Sequence, residues 1–171
     1  MAERQGKPFE LTASLEDYLE AIKEVIDNSD EDHAHSVAIA KRLKVAKPSV
    51  TYALGILRER GYINYNVNYP VTLTPLGEQE AARVIRRHRE LKAFLKEVLC
   101  LEDEQSETTA CRIEHVIDDH LLARLTCLNQ VFRSAEAEGM KAALFRAYAA
   151  TDAAAAQMPC GEGVNEATVS E

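Results

Sequence analysis

The sequence of 171 residues has no tryptophan and no apolar run of the roughly 18 to 20 residues that a bilayer-spanning helix requires. Its first residues, MAERQGKPFE, also lack the apolar stretch of a secretory signal. We therefore expect a cytoplasmic protein with no membrane partner. The hydrophobic content of 46% is enough for a folded core, and the length allows one large domain or two small ones.

Cysteine is scarce, and no two cysteines form a CxxC pair. The four are Cys100, Cys111, Cys127 and Cys160. Their wide spacing, in a chain without a secretory signal, favours reduced thiols over disulfides. The sequence also lacks a Gly-rich phosphate loop, a convincing general base and a substrate-pocket motif. We therefore expect neither an enzyme nor a small-molecule substrate.

The net charge of −8 is unevenly distributed along the chain. Residues 36–92 contain eleven Lys and Arg against four Asp and Glu, whereas the remainder contains nine against twenty-four. A local basic surface is what phosphate contacts require, since the approaching face matters and not the total charge. Charge alone is equally compatible with a solvated surface.

The amino-terminal part predicts two helices separated by a polar loop. Apolar residues recur at helical spacing in residues 14–27, with Ser14 as the N-cap and Asp17 as the third helical residue of a capping box. The loop NSDEDHAH follows, and SVAIAKRL then predicts a short second helix. Its inward-facing residues are expected to be Val37, Ile39, Ala40 and Leu43.

A third helix and a hairpin complete this region. Pro48 suits the first turn of the helix in KPSVTYALGILRERG, and Gly61 suits its C-terminal cap. Two short helices joined by the tight link KVA predict a helix-turn-helix. The β-prone residues 62–65 and 71–73 flank NVNYP and predict a hairpin. The combination is a winged helix-turn-helix.

The second half of the sequence is predicted to be helical. Thr74 caps a long helix with Pro75 at its first position, and this helix is expected to connect two domains. After a polar break, LEDEQSETT, residues 110–125 predict a further helix, and residues 134–150 predict a last one. The fold class is therefore mainly α with a small β-hairpin wing. We expect a DNA-binding domain at residues 1–74, a helical domain at 75–150 and a flexible tail at 151–171.

The third helix is the candidate recognition helix, because the major groove admits the N-terminal turns of such a helix. Val50, Leu54 and Leu57 have the spacing that packs inward. The exposed residues would contact bases, and neighbouring cations would contact phosphates. Helix-turn-helix units also contact proteins, but the wing and the local positive charge favour DNA. The DNA-binding candidates are Lys41, Arg42, Ala46, Lys47, Pro48, Ser49, Thr51, Tyr52, Arg58 and Arg60.

A metal site is indicated by Cys111, Glu114 and His115, which are neighbours at positions i, i+3 and i+4 of a helix. A thiolate, a carboxylate and an imidazole at this spacing can converge on one ion. Asp17 and Glu20 form a further i, i+3 pair on the first helix. Taken singly, each has an ordinary structural explanation, such as a cap, a solvated charge or a packed histidine.

The segments SLEDYLEAI, KPSVTYAL, VTLTPLGEQEA, RRHRELKAFL and ACRIEHV resemble the metal-dependent repressors of the diphtheria toxin repressor and manganese transport regulator family. The resemblance covers about residues 11–133, without the SH3-like third domain of some iron-type members. It implies a metal-binding and dimerisation domain after the wing. It also implies a homodimer that binds a palindromic double-stranded operator. The metal ligands that it implies are Asp17, Glu20, His88, Cys111, Glu114 and His115.

The ligand set resembles both branches of this family. Asp17 matches the manganese-type pattern, whereas Cys111 matches the iron-type pattern. Lys92 stands where iron-type members have an acidic ligand of an ancillary site, so that site is expected to be altered, with Glu20, His88 and Glu107 as an alternative group. Because a thiolate favours softer ions, Fe(II) is expected, with Mn(II) as the alternative.

The resemblance implies a repressor of metal-uptake genes, and with the Fe(II) expected from Cys111 we predict an Fe(II)-responsive repressor. Metal would fix the DNA-binding domain against the dimerisation domain, and in its absence the carboxylates of Asp17, Glu20 and Glu114 would repel one another. Two other functions use the same residues. One is a metal-independent regulator in which Cys111 senses oxidation. The other is a small metalloenzyme whose ion activates water.

Overall fold

The computed structural model describes residues 11–67 and 69–156. The chain divides into two compact units, the first ending at Asn129 and the second beginning at Gln130. The predicted domain boundary at residue 74 lies inside the first unit and stays a prediction. None of the described helices is both long and apolar enough to cross a membrane.

Three helices open the first unit, namely α1 (Ala13–Asp27), α2 (Ser36–Leu43) and α3 (Lys47–Glu59). Their apolar faces form one core, in which Leu19, Ile22 and Leu54 are completely buried. The predicted capping box on α1 is wrong. The helix begins after Thr12, which makes no side-chain capping bond to the described residues, and Ser14 already lies inside the helix. Val37 was expected to face inward but is exposed, because only Ile39 and Ala40 of α2 are buried in this core.

The predicted wing is a two-stranded antiparallel sheet of β1 (Ile63–Asn64) and β2 (Thr72–Leu73), with Ile63 opposite Leu73. A third segment joins it, since Ala34 and Val71 exchange two backbone hydrogen bonds of 2.8 Å. Sequence reasoning assigned Ala34 to a loop. The segment between α1 and α2 is thus attached to the base of the wing.

The long helix α4 (Pro75–Ala93) begins at a tightly packed corner. As predicted, Thr74 is its N-cap, and the Thr74 hydroxyl accepts a hydrogen bond of 3.1 Å from the backbone N–H of Gly77. A Cβ at Gly77 would lie 1.9 Å from the carbonyl oxygen of Tyr62. Only glycine lets the first turn of α4 pack this closely against the wing.

Two further helices follow a π-helical turn at Phe94–Val98, namely α5 (Asp103–Ile113) and α6 (Asp119–Arg133). The single helix predicted over residues 110–125 is wrong, because α5 ends at Ile113. The side chain of Asp118 accepts a hydrogen bond of 2.8 Å from the N–H of Leu121 and so begins a new helix. Most of the predicted polar break instead belongs to α5. A second core of Leu91, Leu95, Ala110, Ile117 and Leu122 packs these helices together.

The second unit contains the end of α6, a 3₁₀ turn (Ala135–Ala137) and α7 (Glu138–Ala156). The rings of Phe132 and Phe145 meet edge to face at 6.0 Å. The predicted final helix is present but continues to Ala156. Residues 151–156 of the predicted flexible tail are therefore helical, and 157–171 lie outside the described residues.

Candidate metal centre and nucleic-acid surface

The candidate metal centre is built around Glu114, which follows the last residue of α5 and is 1% exposed. Its Oε2 atom lies 2.6 Å from Nδ1 of His88 on α4. Glu114 retains helical backbone angles, so it stays on the same side of α5 as Cys111. The carboxylate therefore lies at the junction of α4 and α5.

Two sets of candidate ligands share this carboxylate. One set is Asp17, Cys111 and Glu114, and the other is Glu20, His88 and Glu114. In each set the ligand atoms lie within 4.8 Å of one another. Five of the six ligands that the family resemblance implies are thus brought together from α1, α4 and the end of α5. Glu114 is the one residue common to both sets.

Burial and neighbouring charges alter the protonation of these groups. Loss of hydration, reinforced by repulsion from Glu114, raises the pKa of Glu20 to about 7. The hydrogen bond to Glu114 raises the pKa of His88 to about 9. Cys111 is exposed as a residue, yet loss of hydration at the thiol and the Glu114 charge raise its pKa to about 11. These groups therefore keep their protons to higher pH than usual, and a cation would have to displace the protons to bind.

The residues fit a divalent cation on one further observation. Oε1 of Glu114 is buried and accepts no hydrogen bond from any described residue, although His115 Nε2 is 3.4 Å away. A buried carboxylate oxygen without a partner is costly, and a cation would satisfy it. The donors are three carboxylates, one imidazole and one thiol, which suit a first-row divalent ion.

His115 is held differently from the other predicted ligands. Its Nδ1 atom lies 2.7 Å from Glu16, and its Nε2 atom lies 2.9 Å from Asp17. Loss of hydration lowers the pKa of His115, but the bond to Glu16 and the charge of Asp17 outweigh this effect and raise the pKa overall. With both nitrogens engaged by carboxylates, His115 joins neither ligand set.

Glu16 is a functional candidate that sequence reasoning missed. It is 5% exposed and lies 2.8 Å from the guanidinium of Arg83 as well as contacting His115. The sequence offered only a weak signal, namely an acidic residue beside the apolar positions Leu15 and Leu19. Glu16 thus links Arg83 to His115, which in turn contacts Asp17.

A cavity of about 300 Å³ gives access to this centre. Asp17, Glu20, His88 and Cys111 line it, and α2 contributes Arg42. At its edge, Lys92 Nζ lies 2.8 Å from Glu107, and His88 Nε2 lies 3.3 Å from the same carboxylate. The cation of Lys92 thus lies beside Glu107, which is consistent with the predicted alteration of an ancillary site.

The candidate DNA-binding residues lie on α2, on α3 and in the short segments after each helix. Val50, Leu54 and Leu57 are buried, as predicted, so the opposite face of α3 is open to solvent. Tyr52 is the most exposed large hydrophobic residue on it, at 74%. All the candidates except Arg60 are exposed. The exposed candidates are Lys41, Arg42, Ala46, Lys47, Pro48, Ser49, Thr51, Tyr52 and Arg58.

Two of these residues make internal contacts that sequence reasoning did not predict, and a third is partly buried. Arg42 donates a hydrogen bond of 2.6 Å to Glu24 on α1. Arg60 is only partly exposed, and its buried Nη1 has no hydrogen-bond partner among the described residues. The hydroxyl of Thr51 donates to the backbone carbonyl of Lys47. Lys41, Lys47 and Arg58 are therefore the better-placed cations for phosphate contacts.

The positive surplus of residues 36–92 is partly neutralised within the protein. Arg87 lies 2.7 Å from Asp119, and Lys92 and Arg83 are also paired with carboxylates. Part of the uneven charge distribution along the sequence therefore corresponds to ion pairs between cations of α4 and carboxylates elsewhere in the chain. The exposed cations of residues 36–92 lie on the helix-turn-helix and, with Arg86 and Arg89, on α4.

A winged helix-turn-helix followed by helices that complete a candidate cation site defines a DNA-binding regulator. Residues 10–69 match the family described as iron dependent repressor, N-terminal DNA binding domain, and residues 74–140 match its metal binding and dimerisation domain. The chain belongs to the iron-dependent repressor family, which confirms the resemblance found in the sequence. Members of this family are transcriptional repressors and not enzymes.

Individual relatives support the same assignment. The chain is 32% identical over 123 residues to an uncharacterized HTH-type transcriptional regulator of Methanocaldococcus jannaschii, covering 72% of this chain and 98% of that protein. It is 33% identical over 120 residues to the HTH-type transcriptional regulator MntR of Lysinibacillus sphaericus, covering 70% and 84%. The solved structure of a manganese-dependent transcriptional repressor complex with manganese matches with a TM-score of 0.61 and 28% identity. That match covers 68% of this chain and 52% of the solved chain, so this chain spans about half of it.

Proposed function

We propose that this protein is an Fe(II)-responsive repressor of metal-uptake genes that acts as a homodimer on a palindromic operator. The observation that carries the proposal is the sharing of buried Glu114 by two ligand sets. These sets connect α1, which packs in the winged-helix core, to α4 and α5. A cation bound there would restrict the movement of α3, the candidate recognition helix, relative to α5.

The protein's own residues supply the coupling. A bound ion would draw together Asp17 and Glu20 of α1 with Cys111 and Glu114 of α5. Arg42 of the helix-turn-helix lines the same cavity and is tied to Glu24 of α1. A coupling free energy of about 1 to 3 kcal/mol between metal and DNA would tighten operator binding by about 5- to 150-fold.

Fe(II) is proposed over Mn(II) because of Cys111. A thiolate prefers softer, later ions than Mn(II), whereas three carboxylates would serve either metal. Mn(II) remains the second candidate, supported by the manganese complex among the related structures. The raised pKa of Cys111 argues against the alternative of a metal-independent thiol sensor, since reactive sensor cysteines are low-pKa thiolates.

Dimerisation is supported by exposed apolar residues at the break between α5 and α6 and on α6. Val116 is 80% exposed and Leu121 is 49% exposed. Together with the match to a dimerisation domain, they favour a second copy of the chain as the partner. A twofold dimer would present two recognition helices to two half-sites of the DNA, which is the basis for proposing a palindromic operator.

The test is anaerobic DNA binding with a duplex selected from a random library by the metal-loaded protein. We expect Fe(II) to tighten binding by about 5- to 150-fold relative to a chelator, at lower concentrations than Mn(II) requires. Glu114→Gln should abolish this gain, whereas Glu104→Gln, at an exposed position of α5, should retain it. Equal affinity with Fe(II) and with chelator would refute metal gating, and a lower requirement for Mn(II) would reassign the ion.

A further inference from the structure

The segment between α1 and α2 contains a cluster of ligand residues separate from the metal centre. Glu31, His33 and His35 each offer one ligand atom, and these atoms lie within 4.8 Å of one another. The segment is extended where Ala34 pairs with Val71. Because side chains alternate along an extended chain, buried Ala34 faces the core, while His33 and His35 share the opposite face.

The distances are close to those of a tetrahedral site. Nε2 of His33 lies 3.2 Å from Oε2 of Glu31, and Nε2 of His35 lies 3.9 Å from the same oxygen. Ligands about 2.0 to 2.1 Å from a tetrahedral zinc ion are about 3.3 Å apart. Small rotations of exposed side chains would bring the three atoms to that spacing.

A neighbouring carboxylate supports the same assignment. Nδ1 of His33 lies 3.2 Å from Asp32, whereas it is Nε2 that lies near Glu31. Metal-binding histidines commonly donate their second N–H to a carboxylate, which fixes the tautomer and strengthens the other nitrogen as a ligand. Asp32 is thus placed to direct Nε2 of His33 toward Glu31 and His35.

The backbone under the cluster is already ordered. The two hydrogen bonds between Ala34 and Val71 fix the residue between the two histidines, and the His33 and His35 rings meet edge to face at 5.2 Å. Much of the ordering that a flexible HxH segment would need on binding an ion is therefore present before the ion arrives.

We propose that Glu31, His33 and His35 form a binding site for a zinc-like divalent cation beside the base of the wing. Two imidazoles and one carboxylate are a common zinc ligand set, with water completing the tetrahedron. An ion held there would bridge the residues on either side of Ala34. It would thereby stiffen the connection between α2 and the wing.

The experiment is a titration of the full chain with zinc chloride, followed by NMR of ring nitrogens in ¹⁵N-histidine-labelled protein. His33, His35, His88, His115 and His120 are the five histidines, so each site is reported separately. We expect the ring signals of His33 and His35 to shift together and to saturate. The signal of exposed His120 should stay unchanged and serves as the internal control.

Substitutions make the outcome decisive. His33→Gln should abolish the zinc-induced shift of the His35 signal. Glu31→Gln should lower the zinc affinity at His33 and His35 at least about tenfold, since even outer partners of a metal ligand contribute that much. Glu59→Gln, on exposed α3 surface, should change nothing. The proposal is overturned if His33 and His35 do not shift while His88 does, or if they shift no more than His120. Because His88 and His115 report the principal centre, failure here is distinguishable from failure of the proposed repressor function.

Discussion

Nδ1 of His88 lies 2.6 Å from Oε2 of Glu114, joining the middle of α4 to the end of α5. In this arrangement two candidate ligands are hydrogen-bonded to each other. Asp17 is likewise paired with a histidine, since its carboxylate lies 2.9 Å from Nε2 of His115. Carboxylate repulsion was predicted without metal. It contributes to the raised pKa of Glu20, but the charges of His88 and Arg42 partly compensate it.

Metal binding should release protons at pH 7. His88, with a pKa of about 9, and Cys111, with a pKa of about 11, are both protonated there, and Glu20, with a pKa of about 7, is about half protonated. We expect release of about two to three protons per chain, because each ligand must be deprotonated to bind the ion. Calorimetry of Mn(II) binding in buffers of different ionisation enthalpy measures this number. Affinity should rise between pH 7 and 9, as His88 loses its proton.

The control for proton release is His120→Gln, which should leave the count unchanged. Cys111→Ser should lower it by about one. A count below one for the native chain would mean that these groups are not the ligands.

Cys111→Ser should change the preference among metals. Loss of the thiol removes the one soft donor, so Fe(II) and Co(II) affinity should fall at least about tenfold while Mn(II) affinity falls less. The sulfur-to-cobalt charge-transfer absorption should also disappear. Cys127→Ser, at an exposed cysteine of α6, should retain both properties. Unchanged absorption in Cys111→Ser would show that this thiol does not bind the metal.

Gly77→Ala should destabilise the fold. The new methyl group would lie 1.9 Å from the Tyr62 carbonyl oxygen, so the corner between the wing and α4 must shift. We expect a cost of about 1 to 3 kcal/mol in the free energy of unfolding. Gly55→Ala is the matched contrast, since nothing lies within 4 Å of its added Cβ and it is inside α3. It should stabilise by about 0.5 to 1 kcal/mol. Denaturant unfolding of both variants measures these free energies. Equal free energies of unfolding for Gly77→Ala and Gly55→Ala would contradict the tight contact at Gly77.

Lys47→Ala should weaken DNA binding mainly through a phosphate contact. Lys47 is exposed at the start of α3, and losing one neutralised phosphate should reduce the slope of log affinity against log salt by about 1. Lys96→Ala provides the control, because Lys96 lies in the π-helical turn and pairs with Asp103. Titrations over a range of salt concentrations measure the slope. An unchanged slope would place Lys47 away from the phosphate backbone.

Local patterns in the sequence were sufficient to predict most elements of the winged helix. Pro48, Gly61 and Thr74 mark helix ends by local chemistry, and the structure has each at the predicted type of position. The capping box at Ser14 failed because the helix begins at Ala13, with Thr12 at the N-cap position. Ala34 could not be predicted as a bridge residue, because its partner Val71 is far away in the sequence.

The candidate site was less accessible to sequence reasoning. Spacing brought Cys111 and Glu114 together correctly, since both have helical backbone angles. His115 was placed in the same ligand group on spacing and on the family resemblance, and the structure has Glu16 and Asp17 at its two ring nitrogens. Such a competition between acidic partners depends on how α1 packs against the end of α5, which no local pattern records.

The paired backbones of Ala34 and Val71 give the polar segment after α1 a fixed register. Deleting one residue between Asn28 and Ala34 would pull the bridge out of alignment or tilt the wing, whereas polar substitutions at exposed Asp30 would leave it in place. This segment therefore tolerates polar substitution at Asp30 far better than a change of length. Its length sets the spacing between the end of α1 and the base of the wing.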